Sequence, residues 1–181
     1  MARLDEALRG ALTGRSCVVG VGNSDLGDDG FGPCLAETLA AAGHADVIVA
    51  ATTPERWMEM LASGTYDSVL FLDAVEFGAE PGAAVLMDAC EIETHFPQVS
   101  THKLSLGMLA RLIRRQSGAR VHLLGVRPAS LQQGAGLSAA VKDSAGSLAV
   151  LLGEVLSTRN GRPGAAQQSE RHVPPAKCEA Q

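Results

Sequence analysis

The sequence predicts an α/β fold: a single three-layer αβα domain with a twisted, mostly parallel five-stranded sheet flanked by helices. Short apolar runs alternate with segments of helical periodicity, which is typical of an open parallel sheet with helices on both faces. A length of 181 residues, 46% of them hydrophobic, fits one domain that buries roughly 70% of its unfolded surface. A glycine-rich turn lies between the first apolar run and the first helical segment.

The predicted elements follow one another along the chain as strand, helix and loop. The strands are short apolar runs: Ser16–Gly20, Asp46–Ala50, Ser68–Asp73, Ala83–Asp88 and Val121–Val126. The helices are Phe31–Ala42, Glu55–Ser63, Leu104–Gln116 and Ser138–Thr158. In the third helix Leu109, Leu112 and Ile113 share one face and arginines occupy the other, as an amphipathic helix requires. Residues 74–81 are expected to form a loop before the fourth strand.

The composition indicates where the folded domain ends and which classes of ligand and site are not expected. Residues 1–158 are predicted to form the folded domain, and residues 159–181, rich in Gly, Pro, Gln and Ser, to be disordered. The net charge of −5 and the lack of a basic stripe argue against nucleic acid. Four irregularly spaced cysteines indicate neither a zinc knuckle nor a disulfide framework. Without an apolar leader or a membrane span, a cytoplasmic protein is expected.

The turn after the first strand has the sequence Gly20-Val21-Gly22-Asn23, followed by Asp28-Asp29-Gly30. A dinucleotide fingerprint needs a third glycine where this chain has Asp25, and a phosphate-binding P-loop ends in Gly-Lys-Ser/Thr rather than in acids. Adjacent carboxylates repel phosphate and attract a cation. The turn is therefore predicted to receive a positively charged group.

Four candidate polar residues lie at or after the ends of two predicted strands or before a predicted helix. They are Asp28 and Asp29 after the first strand, Asp73 at the end of the third, and His102 before the third helix. Ligands of open parallel sheets bind outside the carboxyl ends of the strands. Two carboxylates and an imidazole suit a borderline divalent cation such as nickel, zinc or iron. Each residue also has a structural alternative, namely helix capping or turn formation, and these patterns alone name no reaction.

Three collinear blocks resemble the hydrogenase maturation endopeptidases, which trim the large subunit of [NiFe] hydrogenases. The blocks run from Gly20 to Pro33, from Leu72 to Ala74 and from Ser100 to Leu106. Further agreement comes from Gly78-Ala79-Glu80-Pro81-Gly82 and Leu124-Gly125-Val126-Arg127-Pro128. The resemblance extends over about residues 16–156 and implies the α/β fold that the periodicity predicts.

The resemblance implies roles for individual residues. The family's metal-binding carboxylates fall on Asp29 and Asp73, and its histidine falls on His102. These three would recognise nickel already installed in the large-subunit precursor, so that the metal belongs to the substrate, although other divalent metals may replace it in vitro. Asp29 and Asp73 would thereby serve catalysis, an aspartic-type endopeptidase activity, and Asp28 is the candidate general base. The expected partner is the precursor, processed by a monomer without nucleic acid or membrane contacts.

One departure from the family lies after the second strand. Many members carry an Asp-Gly-Gly-Thr-like turn there, whereas this chain has Ala51-Thr52-Thr53-Pro54. The change is expected to alter partner preference more readily than to abolish activity. Two other functions stay open: a non-catalytic nickel-binding or chaperone module for hydrogenase assembly, and a metallohydrolase of another substrate that holds its metal permanently.

Overall fold

The computed structural model describes residues 2–96 and 105–160. Its strands are β1 (Ser16–Val21), β2 (Val47–Ala51), β3 (Ser68–Ala74), β4 (Ala84–Asp88) and β5 (Arg120–Val126). Its helices are α1 (Ala2–Ala11), α2 (Phe31–Ala41), α3 (Met58–Leu61), α4 (Ala89–His95), α5 (Leu106–Ser117) and α6 (Ala139–Asn160). Short 3-10 turns, Gly27–Gly30 and Pro54–Trp57, precede α2 and α3.

The strands form one sheet in the order β2-β1-β3-β5-β4. β1 pairs in parallel with β2 and β3, and β3 pairs in parallel with β5, while β4 runs antiparallel to β5. From β1 the chain first builds outward to β2 and then crosses to β3 on the other side. The strand order therefore reverses between β1 and β3, which is the position where open α/β sheets bind ligands.

Helices cover both faces of the sheet, which confirms the predicted three-layer αβα architecture. Alternate residues of β3 show why: Val69 and Phe71 belong to one apolar cluster, and Leu70 and Leu72 belong to the other. The first cluster includes residues of α3, α4 and α5, and the second includes residues of α1, α2 and α6. A strand buried on both faces must be apolar at nearly every position, as β3 is.

Two helices, α1 and α4, lie outside the predicted elements. Leu8 of α1 and Leu12, which directly follows this helix, lie one helical turn apart and are buried in the second cluster. α4 begins with a capping box, in which the Asp88 carboxylate accepts from the amide of Glu91 while the Glu91 carboxylate accepts from the amide of Asp88. Both signals are readable in the sequence, but α4 is only 7 residues long and its apolar period is correspondingly weak.

The remaining boundaries fall near their predicted positions, with one exception. The predicted helix Glu55–Ser63 is a 3-10 turn followed by the single-turn α3, which ends at Leu61. The terminal helix α6 continues to Asn160, and the predicted disordered segment is otherwise outside the described residues. Within residues 2–96 and 105–160, no helix combines the length and apolarity needed to cross a bilayer.

Candidate active site

A cleft of about 230 Å³ opens at the carboxyl ends of β1, β2 and β3, where the strand order reverses. A cleft of this size admits a small part of a bound chain. Its lining joins strand ends, the turn before α3 and the start of α5: Val21, Gly22, Ala51, Thr52, Pro54, Asp73, Asp29, Glu55 and Leu106. The cleft thus lies where the sequence predicts a ligand site.

The turn after β1 brings Asp29 to this cleft. Gly22 has a φ of +130°, and a Cβ on it would collide with the backbone carbonyl of Asp29. Glycine therefore lets the loop fold back over the end of β1. The amide of Asn23 then donates to Oδ2 of Asp29 at 2.7 Å, which fixes the partly buried carboxylate at the cleft wall.

Asp73 enters the cleft from the penultimate position of β3. It is 8% exposed, and its Oδ1 accepts the amide hydrogen of Ala74 at 2.9 Å. Its Oδ2 has no hydrogen-bond partner among the described residues. Burial raises the pKa of Asp73 well above the ordinary value, and the negative charge of Asp29 raises the pKa further, outweighing the Ala74 amide. The structure therefore brings Asp29 and Asp73 together at the cleft, where the two negative charges repel each other.

Asp28, in contrast, faces away from the cleft and is fully buried. Its Oδ2 accepts from the amides of Ala129 and Ser130 at 2.7 and 3.1 Å, and its Oδ1 accepts from the amide of Ser138 at 2.6 Å. Burial alone would raise the pKa of Asp28, but these amides hold it below its ordinary value. This geometry favours the loop role over the general-base role: Asp28 ties the turn after β1 to the loop that joins β5 to α6.

His102 lies outside the described residues. α5 begins four residues later, and its first residue, Leu106, lines the cleft. The oxygen of the Ser105 side chain accepts the amide hydrogen of Met108 and caps this helix. Among residues 2–96 and 105–160, no group of three or more His, Cys, Asp or Glu side chains is arranged to hold a metal. The proposed third ligand, His102, is not among the residues to which that statement applies.

The loop after β2 contributes residues that the sequence analysis does not assign to the site. Ala51 adopts a φ of +49°, a conformation that glycine takes without strain. Its carbonyl accepts the amide hydrogen of Gly22 at 3.1 Å, so the bent backbone stays joined to β1. Thr52 and Glu55 follow on the cleft wall. In the sequence, Glu55 carries no signal beyond its place at the start of a predicted helix.

Comparison with known proteins identifies relatives of this chain. The family model described as HycI, hydrogenase maturation protease, matches residues 33–152. The matched range includes Asp73 and His102 and begins four residues after Asp29. The hydrogenase 3 maturation protease of Escherichia coli K12 is 36% identical over 110 residues, which are 60% of this chain and 69% of that protein.

Solved structures of the same kind share the fold. The crystal structure of the [NiFe] hydrogenase maturation protease HycI from Thermococcus kodakarensis aligns with a TM-score of 0.74 and 33% identity, covering 83% of this chain and 99% of that one. The solution structure of the endopeptidase HycI from Escherichia coli aligns with a TM-score of 0.66 and 27% identity, covering 88% and 100%. Both alignments extend through most of the described α/β domain.

Proposed function

The chain belongs to the hydrogenase maturation protease family, and on that premise we propose that it is an endopeptidase that removes the C-terminal extension of a nickel-loaded [NiFe] hydrogenase large-subunit precursor. The precursor's nickel serves as the recognition element, bound by Asp29, Asp73 and His102. As the sequence predicts, we expect a monomer that acts in the cytoplasm and contacts neither nucleic acid nor membrane.

The observation that carries this proposal is the carboxylate pair in the cleft. A buried carboxylate beside a second one favours a proton or a cation, because burial weakens the solvation of its charge and the second carboxylate repels it. Asp73 meets this description: burial and Asp29 both raise its pKa. A divalent ion entering with the substrate would remove the repulsion between the two carboxylates. The repulsion between the two carboxylates would thus be relieved only by a precursor that already contains nickel, and such a precursor would bind more tightly.

Recognition of nickel also positions the scissile bond. An ion held between the precursor and the cleft fixes the neighbouring peptide, and such positioning can account for several kcal/mol of a reaction barrier, roughly 7–11 kcal/mol in the best cases. The ion also polarises a carbonyl close to it. Asp29 and Asp73 then take part in catalysis by holding the substrate's metal. Asp28 is proposed to hold the loops of the site together, because its carboxylate is buried and already accepts from three amides.

The test is the intact mass of large-subunit precursors incubated with this protein, each prepared in nickel-loaded and nickel-free form. Loss of a C-terminal peptide from one nickel-loaded precursor, with its nickel-free form left intact, is the expected result. Cleavage of the nickel-free form would remove nickel recognition from the proposal. Stable binding without a change of mass would instead identify a nickel-binding or chaperone module, and purification with stoichiometric metal would indicate a metallohydrolase.

A further inference from the structure

We propose that Glu55 is the general base of the hydrolysis and accepts a proton from the water that attacks the scissile peptide bond. This inference rests on the proposed endopeptidase function. It concerns a residue that neither the glycine-rich turn nor the predicted metal ligands include, and it assigns the proton transfer to the loop after β2.

Glu55 is placed in the cleft by a short, well-fixed turn. Pro54 is buried at the first position of the 3-10 turn and lines the cleft beside Glu55. The amide of Arg56 donates to the carbonyl of Thr53, and the amide of Met58 donates to the carbonyl of Glu55. The backbone that carries the Glu55 side chain is therefore held on both sides, which favours a defined position for its carboxylate.

The side chain of Glu55 is also available. It is partly buried and lines the cleft, yet it has no hydrogen-bond or ion-pair partner within the described part of the chain. A carboxylate used only to support the turn would be expected to accept from a nearby amide, as Asp28 and Asp88 do. A general base, in contrast, must keep an oxygen free for the proton that it accepts.

The other acids at this edge of the sheet already have tasks. Asp28 is fully buried and bound to three amides, so it cannot reach water in the cleft. Asp29 and Asp73 are the proposed ligands of the substrate's nickel, and a carboxylate bound to a metal is a poor proton acceptor. Among the cleft residues that the structure describes, Glu55 is the remaining carboxylate.

The charges of the residues that line the cleft also favour Glu55 as the general base. In the proposed complex, Asp29 and Asp73 face the substrate's nickel, and their negative charges are directed at that ion. Glu55 adds a third negative charge to a wall that has no Lys, Arg or His among its described lining residues. A carboxylate at this position can accept the proton that leaves water during attack.

The step balances without any further reactant. A water oxygen attacks the carbonyl carbon of the scissile peptide bond, and one water proton passes to a carboxylate oxygen of Glu55. The tetrahedral intermediate then collapses, the C–N bond breaks, and the leaving nitrogen takes the proton from Glu55. The products are the new C-terminal carboxyl group of the large subunit and the released extension, and Glu55 returns to its ionised state.

The experiment measures single-turnover cleavage of a nickel-loaded precursor by Glu55→Gln, which has nearly the same shape but accepts a proton poorly. The expected result is at least about a 100-fold slower cleavage step, the usual range for loss of a general base, with precursor affinity within about threefold of the unmodified protein. Glu59→Gln is the matched control, because Glu59 is exposed on α3 and outside the cleft. It should cleave at the unmodified rate.

Chemical rescue separates proton transfer from a structural role. Glu55→Ala should be inactive and should regain part of its cleavage rate when formate is added, because a small carboxylate can occupy the vacated space. A Glu55→Gln variant that cleaves at the unmodified rate, or that loses affinity as much as cleavage, would overturn the assignment. Failure of the unmodified protein to cleave any nickel-loaded precursor would instead overturn the proposed function, before Glu55 is tested.

Discussion

Two carboxylates at the same edge of the sheet, Asp28 and Asp73, are both almost fully buried but have opposite environments. Asp28 accepts hydrogen bonds from three backbone amides, and its pKa lies below the ordinary value. Asp73 accepts from one amide, and burial beside Asp29 raises its pKa. A satisfied buried carboxylate stabilises the fold, whereas an incompletely satisfied one costs stability and is available to a ligand. The difference supports the proposal that Asp28 holds the loops of the site together and that Asp73 binds the substrate's nickel.

The largest expected effect comes from removing the satisfied carboxylate. Asp28→Ala leaves the amides of Ala129, Ser130 and Ser138 without their acceptor. We expect a loss of about 3–5 kcal/mol in the free energy of unfolding, measured by urea denaturation. Asp25→Ala is the control, because Asp25 is exposed in the same loop, and it should change stability by less than about 0.5 kcal/mol. Equal stability of Asp28→Ala and the unmodified protein would show that the Asp28 carboxylate does not stabilise the fold.

Replacing Asp73 should change the free energy of unfolding in the opposite direction. Asp73→Asn keeps the shape and the acceptor for the Ala74 amide, but it removes a buried charge that Asp29 repels. In metal-free protein we expect the free energy of unfolding to rise by on the order of 1–3 kcal/mol. Thermal and urea denaturation measure this gain. A variant less stable than the unmodified protein would show that the Asp73 carboxylate contributes to the fold as Asp28 does.

The stability changes caused by the Asp73 and Asp28 variants should depend on pH in different ways. The pKa of Asp73 is raised in the folded protein, so its penalty is absent below the ordinary value of 3.8 and grows as the pH rises above it. The gain from Asp73→Asn should therefore vanish near pH 3 and grow as the pH rises above 3.8.

For Asp28 the sign reverses. Its folded pKa is lowered, so its stabilisation is present above 3.8 and is lost as the pH falls through the folded value. Urea denaturation of both variants between pH 3 and pH 7 measures the two dependences, and a parallel course would contradict the account.

The smallest expected effect concerns Ala51, whose φ of +49° is unfavourable for a residue with a Cβ. The strain of about 1–2 kcal/mol is partly offset by the greater unfolded-state entropy of glycine, about 0.4–1 kcal/mol. Ala51→Gly should therefore stabilise the protein by less than about 1 kcal/mol in thermal denaturation. Ala50→Gly, at the adjacent buried position of β2, should destabilise it. Destabilisation by both would show that the left-handed backbone at Ala51 carries no strain.

Much of the fold is predictable from the sequence because its elements have clear periods. β3 is apolar on both faces, and α5 alternates leucines with arginines, so their positions follow from local pattern. The different environments of Asp28 and Asp29 cannot be predicted from local sequence pattern. The two residues are adjacent in sequence, and only contacts with residues more than 100 positions away assign Asp28 to the loop.

The place of Glu55 in the cleft also could not be predicted from local sequence pattern. An acid beside a proline at a helix start is ordinary in sequence. Only the juxtaposition of the ends of β1, β2 and β3 places it in one cleft with Asp73 and Asp29. The positive φ of Ala51, in the turn that departs from the family, is likewise visible only in the structure.

We propose that Asp28 holds the loops of the site together and that Asp73 binds the substrate's nickel. The most direct test follows the intact mass of one nickel-loaded precursor over time with Asp28→Asn and Asp73→Asn, at equal concentrations of folded protein. The account predicts that Asp28→Asn still removes the extension, whereas Asp73→Asn, although more stable, leaves the precursor intact. Cleavage by Asp73→Asn at the unmodified rate, or an inactive but fully folded Asp28→Asn, would contradict it.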